Sequence, residues 1–189
     1  QKVVWKKQTM TRHQLNSKTI WITGVTASGK TTIGEALHKR LLQEYSPEQI
    51  EFLDGDKLRE QLKRGYGHTI EERFASLKDL VRVAKGHYDQ EKTVIVSTIS
   101  YKNEMRTFAR SQMPHFMEVY LECSIEVCAQ RDYKDHYRRA FSGEYQTFIG
   151  VTDEYEVPDS PELILNTGIL SAEVCSETLY QHAKEFLSV

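Results

Sequence analysis

The stretch Gly24-Val-Thr-Ala-Ser-Gly29-Lys30-Thr31 follows directly on the apolar run Ile20-Trp21-Ile22. Residue types at this spacing bind a nucleoside triphosphate. The glycines let successive backbone N–H groups turn toward a β-phosphate, Lys30 reaches the β and γ oxygens, and the Thr31 hydroxyl ligates Mg²⁺. The helix that follows points its positive dipole end at the same anion. With glycine at roughly 7% of residues, the pattern arises by chance in fewer than about one per cent of chains of this length. It is therefore read as a Walker A loop.

A phosphoryl donor needs a base and cations around the transferred group. The residues that offer them stand just after other apolar runs. Asp54-Gly55-Asp56 follows Ile50 to Leu53, with Arg59 one turn further on; Ser97-Thr98-Ile99-Ser100 follows Thr93 to Val96; Glu122-Cys123-Ser124 follows Phe116 to Leu121. The two carboxylates suit a general base for an attacking hydroxyl and an outer ligand for magnesium-bound water, and the sequence leaves open which is which. Phosphoryl transfer asks mainly for positioning and charge neutralisation, for which Lys30, Arg59, Arg73, Arg131, Lys134, Arg138 and Arg139 are available. Arg73 reads equally well as a solvated helix residue, and Arg131 as a cation at a helix C-terminus. His68, Phe141, Tyr145 and Phe148 lie near these cations in sequence and suit stacking on a nucleobase.

These groups need a scaffold that brings the ends of apolar runs together. Strand candidates recur at 19–23, 50–53, 93–97, 116–121 and 162–165, with helical stretches between them. Such alternation predicts an α/β fold with a five-stranded parallel sheet and helices on both faces, and ligands then bind outside the carboxyl ends of the strands. Ile33, Ala36, Leu37 and Leu41 fall on one helical face after the loop. Thr69-Ile-Glu-Glu72 is a capping box before a long amphipathic helix toward Gln90, and Ser124 and Ser171 stand as N-caps. Residues 133–158, rich in charge and aromatics, read as a mobile lid over a ligand. Residues 1–18 form a polar, basic arm expected to pack on the domain or on a partner subunit, leaving 19–189 as the domain proper.

The chain has 189 residues and a formal net charge of −2. That length makes one domain with a sizeable core, and that charge argues against a nucleic-acid coat or a membrane-surface protein. Three cysteines, Cys123, Cys128 and Cys175, lack zinc or redox spacing and suit a reducing cytoplasm. The histidines show no ligand spacing, so no structural metal is expected. There is no membrane-span run or signal-peptide core. Gln1 at the start reads as a trimmed or partial chain.

The run from Ile20 to Ile33 together with Leu53-Asp-Gly-Asp-Lys-Leu-Arg59 resembles the adenylylsulfate kinases, which phosphorylate the 3′-hydroxyl of adenosine 5′-phosphosulfate. Glu118-Val-Tyr-Leu, Glu126 to Asp132, Lys134, Tyr137, Ala140, Gly143-Glu144, Phe148, Gly150 and Tyr155-Glu156-x-Pro158 are similar to the family's fourth strand, next helix and lid. Val4-Trp5 and Thr11-Arg12 resemble its N-terminal extension. The resemblance implies a P-loop kinase fold, ATP with Mg²⁺, nucleotide substrates and a homodimer. It implies that Gly24, Ala27, Ser28, Gly29, Lys30, Thr31 and Thr32, with Arg131, bind ATP, and that Thr31 and Asp54 serve the metal. Lys30, Asp54, Asp56 and Ser100 would be catalytic. Asp56, Arg59, His68, Arg73, Ser76, Ile99, Ser100, Lys134 and Phe148 would hold the acceptor.

Departures from the family pattern fall on the acceptor side. His68 stands for a usual Phe, Ser76 for an Asn, Tyr101-Lys102-Asn103 for Pro-Tyr-Arg, Tyr133 and Asp135 for a Pro and a Gly, and Ile149 for a Thr. Phosphoryl transfer from ATP to adenosine phosphosulfate is the leading expectation. A 3′-hydroxyl of another nucleotide, such as cytidine diphosphoramidate, is the alternative acceptor. A silent nucleotide-binding module is a third reading, opposed by the intact Lys30, Thr31, Asp54, Asp56 and Arg59.

Overall fold

A computed structural model describes residues 16–189. Most of the arm, including Val4-Trp5 and Thr11-Arg12, lies outside the described residues. Its last residues join the domain, because the first strand, β1, opens at Lys18 and Thr93 Oγ1 donates to the carbonyl of Asn16 at 3.2 Å.

Five strands, β1 (Lys18–Thr23), β2 (Ile50–Asp54), β3 (Thr93–Ser97), β4 (Phe116–Glu122) and β5 (Leu163–Asn166), form one sheet in the order β2-β3-β1-β4-β5, and every neighbouring pair is parallel. Their bounds lie within a residue of the sequence expectation. Seven helices connect or follow them: α1 (Lys30–Leu41), α2 (Gly55–Leu62), α3 (Ile70–Tyr88), α4 (Asn103–Gln112), α5 (Ile125–Arg131), α6 (His136–Phe141) and α7 (Ala172–Ser188).

Strand alternation sorts the core into two layers. Ile20 and Ile22 of β1 pack with Ile33, Leu37 and Leu41 of α1 and Leu179 and Ala183 of α7. Trp21, between them, points the other way into Leu77, Leu80 and Val81 of α3 and Met105 and Ala109 of α4. All three β1 residues are fully buried, each contributing about 1.5–3 kcal/mol of hydrophobic stabilisation. The chain leaves β1 toward one face and β3 toward the other, so a crevice opens above the sheet where the two loops part.

The capping box at Thr69 is formed, and Ser124 and Ser171 accept from Val127 and Val174 N–H as N-caps. The segment 133–158 is not without helix: α6 forms within it, started by Asp135 in the left-handed region at φ 59°. Tyr137 and Ala140 of α6 are buried, which explains why so short a helix holds. Among the described residues no helix is long and apolar enough to cross a membrane.

Candidate active site

Two glycines make the phosphate loop possible. A Cβ on Gly24 would come within 2.7 Å of Ser28 Oγ and 2.9 Å of the Leu121 carbonyl, and Gly29 sits at φ 97° as the N-cap of α1 with no side-chain cap. The first N–H groups of α1 are thereby left for an anion. Lys30 Nζ donates to the Val25 carbonyl at 2.6 Å. Burial pulls the ammonium pKa down to about 8, against the opposing charges of Asp56 and Asp54. Ala27 holds φ 60° within the turn, Ser28 is buried, and Thr32 is exposed on the first turn of α1.

Thr31 and Asp54 meet although 23 residues apart: Thr31 Oγ1 donates to Asp54 Oδ2 at 2.5 Å. The other carboxylate oxygen accepts from the N–H groups of Asp56 and Lys57 at 3.0 and 3.1 Å, making Asp54 the N-cap of α2. A hydroxyl and a carboxylate at this spacing match the hard-oxygen chemistry of Mg²⁺, which takes one or two protein ligands and fills the rest of its shell with phosphate and water. Among the described residues no cluster of three His, Cys, Asp or Glu side chains forms a protein-only metal cage. Asp56, one residue into α2 from Gly55, is exposed, and among the described residues its carboxylate has no hydrogen-bond partner.

Asp56 itself lines a cleft that is open to solvent and has an internal volume of about 80 Å³. Arg59, Arg73 and Ser76 line it with Ile99 and Ser100, over an apolar floor that includes Leu77, Leu80 and Met105. Arg59 Nη2 donates to the carbonyls of Tyr66 and Gly67 at 2.6 and 2.8 Å, and Arg73 Nε to that of His68 at 2.9 Å. The bends of loop 63–69 thus aim two guanidinium groups from adjacent elements. Burial lowers the Arg73 pKa; burial, then the charges of Arg73 and Arg59, lower that of the His68 imidazole. His68 itself is exposed and is not among the residues lining the cleft, so its contact with Arg73 is through the carbonyl.

Ser100 turns its side chain inward. Its hydroxyl accepts from Trp21 Nε1 at 3.1 Å and donates to Thr23 Oγ1 at 3.0 Å, on the core side. Thr23 Oγ1 passes its own proton to the Ile99 carbonyl at 2.5 Å and bonds Tyr155 Oη at 2.8 Å. Every polar atom of this buried chain has a partner, and burial drives the Tyr155 phenol pKa well up. Ser100 also holds φ 37°, and its carbonyl accepts from Arg106 Nη1 at 2.6 Å. Ser100 thus lines the cleft while its hydroxyl is engaged with Trp21 and Thr23. Sequence reasoning missed Trp21, Tyr155 and Arg106, since nothing local marks a core indole or a buried arginine as the support of a loop. Arg106 is 3% exposed, salt-bridged to Glu118 at 2.9 Å and bonded to the Glu156 carbonyl. Asn103 gives its side-chain oxygen to Arg106 instead of to the cleft.

Three remaining sequence candidates lie away from the cleft lining. Arg131 donates to the Thr167 carbonyl at 2.8 Å, and Thr167 Oγ1 to that of Ser28, so it supports the phosphate loop at second hand. Lys134 is exposed over the Tyr133 ring. Phe148 packs in an aromatic group, stacked on Tyr145 with centroids 5.8 Å apart and edge-on to Tyr137 at 5.0 Å. Arg138 and Arg139 are paired within the lid with Asp135 and Glu144. Ile149, by contrast, is buried among the α3 and α4 side chains, which accounts for an apolar residue there.

Known proteins share this arrangement. The sequence model of the family described as adenylylsulphate kinase matches residues 16–166. The chain is 34% identical to the probable adenylyl-sulfate kinase of Bacillus subtilis, with 98% of each chain covered, and 35% identical to the adenylyl-sulfate kinase of Bacillus licheniformis, with 97% and 96% covered. Among solved structures, the Mycobacterium tuberculosis APS kinase CysC in complex with AMPPNP and APS superposes with a TM-score of 0.81 at 30% identity, over 93% of this chain and 99% of that one. A family model over residues 16–166 and full-length relatives above 30% identity together show that the chain belongs to the adenylylsulphate kinase family, a family of phosphotransferases.

Proposed function

We propose that the chain transfers the γ-phosphoryl group of ATP to the 3′-hydroxyl of adenosine 5′-phosphosulfate, giving 3′-phosphoadenylyl sulfate and ADP. The observation that carries the reading is Asp56: a carboxylate with no partner among the described residues, between the phosphate loop and a cleft walled by Arg59 and Arg73. Family membership names the acceptor. In this reading Asp56, not Asp54, is the base, because both oxygens of Asp54 already accept hydrogen bonds.

The step balances simply. The 3′-oxygen gives its proton to the Asp56 carboxylate and forms a bond to the γ-phosphorus, while the bond from that phosphorus to the β–γ bridging oxygen breaks and ADP leaves with the electron pair. Gly24 to Thr32 hold the donor phosphates, and Lys30 neutralises charge on the β and γ oxygens. Thr31 and Asp54 would hold Mg²⁺, which supplies charge neutralisation on the same phosphates when bound. Arg59 and Arg73 take the anionic phosphosulfate, Ser76 and the Ile99–Ser100 backbone the nucleoside, and Lys134 and Phe148 close over it with the 133–158 lid. A homodimer in the cytoplasm, with residues 1–18 packed as an arm on the 19–189 domain, belongs to the same proposal; sedimentation of the full chain tests the dimer.

The deciding experiment is coupled ADP release with Mg·ATP, offering adenosine 5′-phosphosulfate beside a panel of cytidine and uridine nucleotides. Turnover with adenosine 5′-phosphosulfate is expected. Turnover with a pyrimidine compound alone replaces the acceptor, and silence throughout leaves only a binding module.

A further inference from the structure

Tyr137 stands where the lid meets the phosphate loop, and nothing in the reaction uses it. Its side chain is 1% exposed, and its hydroxyl donates to the carbonyl of Thr26 at 2.8 Å. A phenylalanine would fill the same space. The buried hydroxyl is held by that loop carbonyl and lies beside the Cys128 thiol; an unpaired phenol in such a place is costly. The next carbonyl back along the loop, that of Val25, accepts from Lys30.

The other side of the Tyr137 ring leads to the acceptor. Phe148 meets it edge-on at 76°. The Phe148 backbone is held by its own turn, with its N–H donating to Thr152 Oγ1 at 2.6 Å and its carbonyl accepting from the N–H groups of Val151, Thr152 and Asp153. Thr147, the preceding residue, donates from Oγ1 to the His68 carbonyl at 3.3 Å, the same oxygen that receives Arg73 Nε. Two lid side chains thus bridge the Walker A loop and the loop that aims the cleft's arginines.

We infer that Tyr137 is a positioning residue that couples donor binding to acceptor binding, by transmitting the position of the Thr26 peptide to Phe148 and Thr147. This rests on the proposed reading of the cleft as the acceptor site. The physical step is a competition. A γ-phosphate draws the Lys30 ammonium from the Val25 carbonyl, because a charge-assisted bond to phosphate is stronger than one to a neutral carbonyl. The Val25–Thr26 segment is then held by the Ser28 N–H on the Val25 carbonyl and by Tyr137 on the Thr26 carbonyl, and the second of these fixes the ring against which Phe148 packs. Coupling of this kind is reciprocal, so the acceptor tightens the donor by the same factor.

The test is calorimetric titration of adenosine 5′-phosphosulfate into the full chain with and without Mg·AMPPNP, for the wild type, Tyr137→Phe, Phe148→Leu and the double variant. In the wild type the analogue is expected to tighten the acceptor about fivefold or more. In Tyr137→Phe, which keeps the ring, the factor should fall below about twofold, and the double variant should lose no more than Phe148→Leu alone. In steady state the same loss should appear in acceptor KM at saturating ATP and far less in kcat. Full tightening in Tyr137→Phe overturns the inference. So does an equal loss of acceptor affinity with and without the analogue, which would mark the hydroxyl as structural only. A wild type that binds no adenosine 5′-phosphosulfate under either condition removes the proposed function, and this coupling with it.

Discussion

The phosphate loop and the cleft proposed for the acceptor meet at Asp56 but are built in opposite ways. The loop is local: eight consecutive residues, from Gly24 to Thr31, supply the turn, the cation and the hydroxyl, and Asp54, Tyr137 and Thr167 reach in to hold it. The cleft is assembled from α2, α3, the loop after β3 and the start of α4, and its cations are aimed by carbonyls of a fifth segment, loop 63–69. A phosphate has one shape in every nucleotide, so a short backbone cradle serves it wherever it occurs. An acceptor must be told from its relatives by shape and charge over its whole length, which needs side chains from many elements.

Asp56→Asn strikes where the two halves join and should have the largest effect. Turnover should fall by about 10² to 10⁴-fold while AMPPNP binding by calorimetry is unaltered. Turnover near the wild-type rate would remove Asp56 as base and return the role to Asp54.

Arg59→Ala separates the halves. Loss of a charged hydrogen-bonding group to the acceptor is worth about 2 kcal/mol, so acceptor KM should rise about thirtyfold with ATP KM unaltered. An equal rise in both constants would mean that the cleft and the loop are not independent at this residue.

The donor half should carry its own pH dependence. Lys30, held by burial at a pKa of about 8 instead of 10.5, is charged at pH 7 and loses its proton as pH rises through that value. kcat/KM for ATP should therefore fall on the alkaline side with an apparent pKa near 8. For stability the sign is opposite: between about 8 and 10.5 the unfolded chain binds the extra proton, so this group's contribution rises with pH. An alkaline limb that first appears near pH 10 would show that the ammonium is solvated in the free enzyme.

Ser100→Ala should give the smallest change in catalysis. It leaves the Trp21 indole without an acceptor and removes one of the two donors to Thr23 Oγ1, the Tyr155 phenol remaining, and so costs about 1–3 kcal/mol of stability, read as a lower urea midpoint. kcat should stay within a few-fold of wild type. Loss of turnover in a stably folded variant would restore the hydroxyl to a chemical role.

The same division runs through what was legible beforehand. Ile20-Trp21-Ile22 and the other apolar runs specified the five strands, because a strand buried on both faces has few other ways to satisfy its side chains. The capping box at Thr69 and the N-caps at Ser124 and Ser171 were equally readable, being local hydrogen bonds between residues three apart. Asp54 and Asp56 were visible as a pair but not as different groups. Their separation depends on Thr31, 23 residues upstream, and on the start of α2. Phe148 and Lys134 were legible as a stacking aromatic and a cation, but their places within 133–158 follow from packing that no spacing rule encodes.

By itself, then, the sequence determined the donor half: the sheet, the phosphate loop, the dipole end of α1 and the cations within reach of a triphosphate. Tertiary structure alone decided that Ser100 turns its hydroxyl into the core, that Arg106 braces the Ile99–Tyr101 loop and that Tyr137 ties α6 to Thr26. The reason is range. A turn or a cap is settled by residues a few positions apart, whereas a buried hydroxyl takes its role from whichever polar atom the fold brings beside it. For Tyr137 that atom lies 111 residues away.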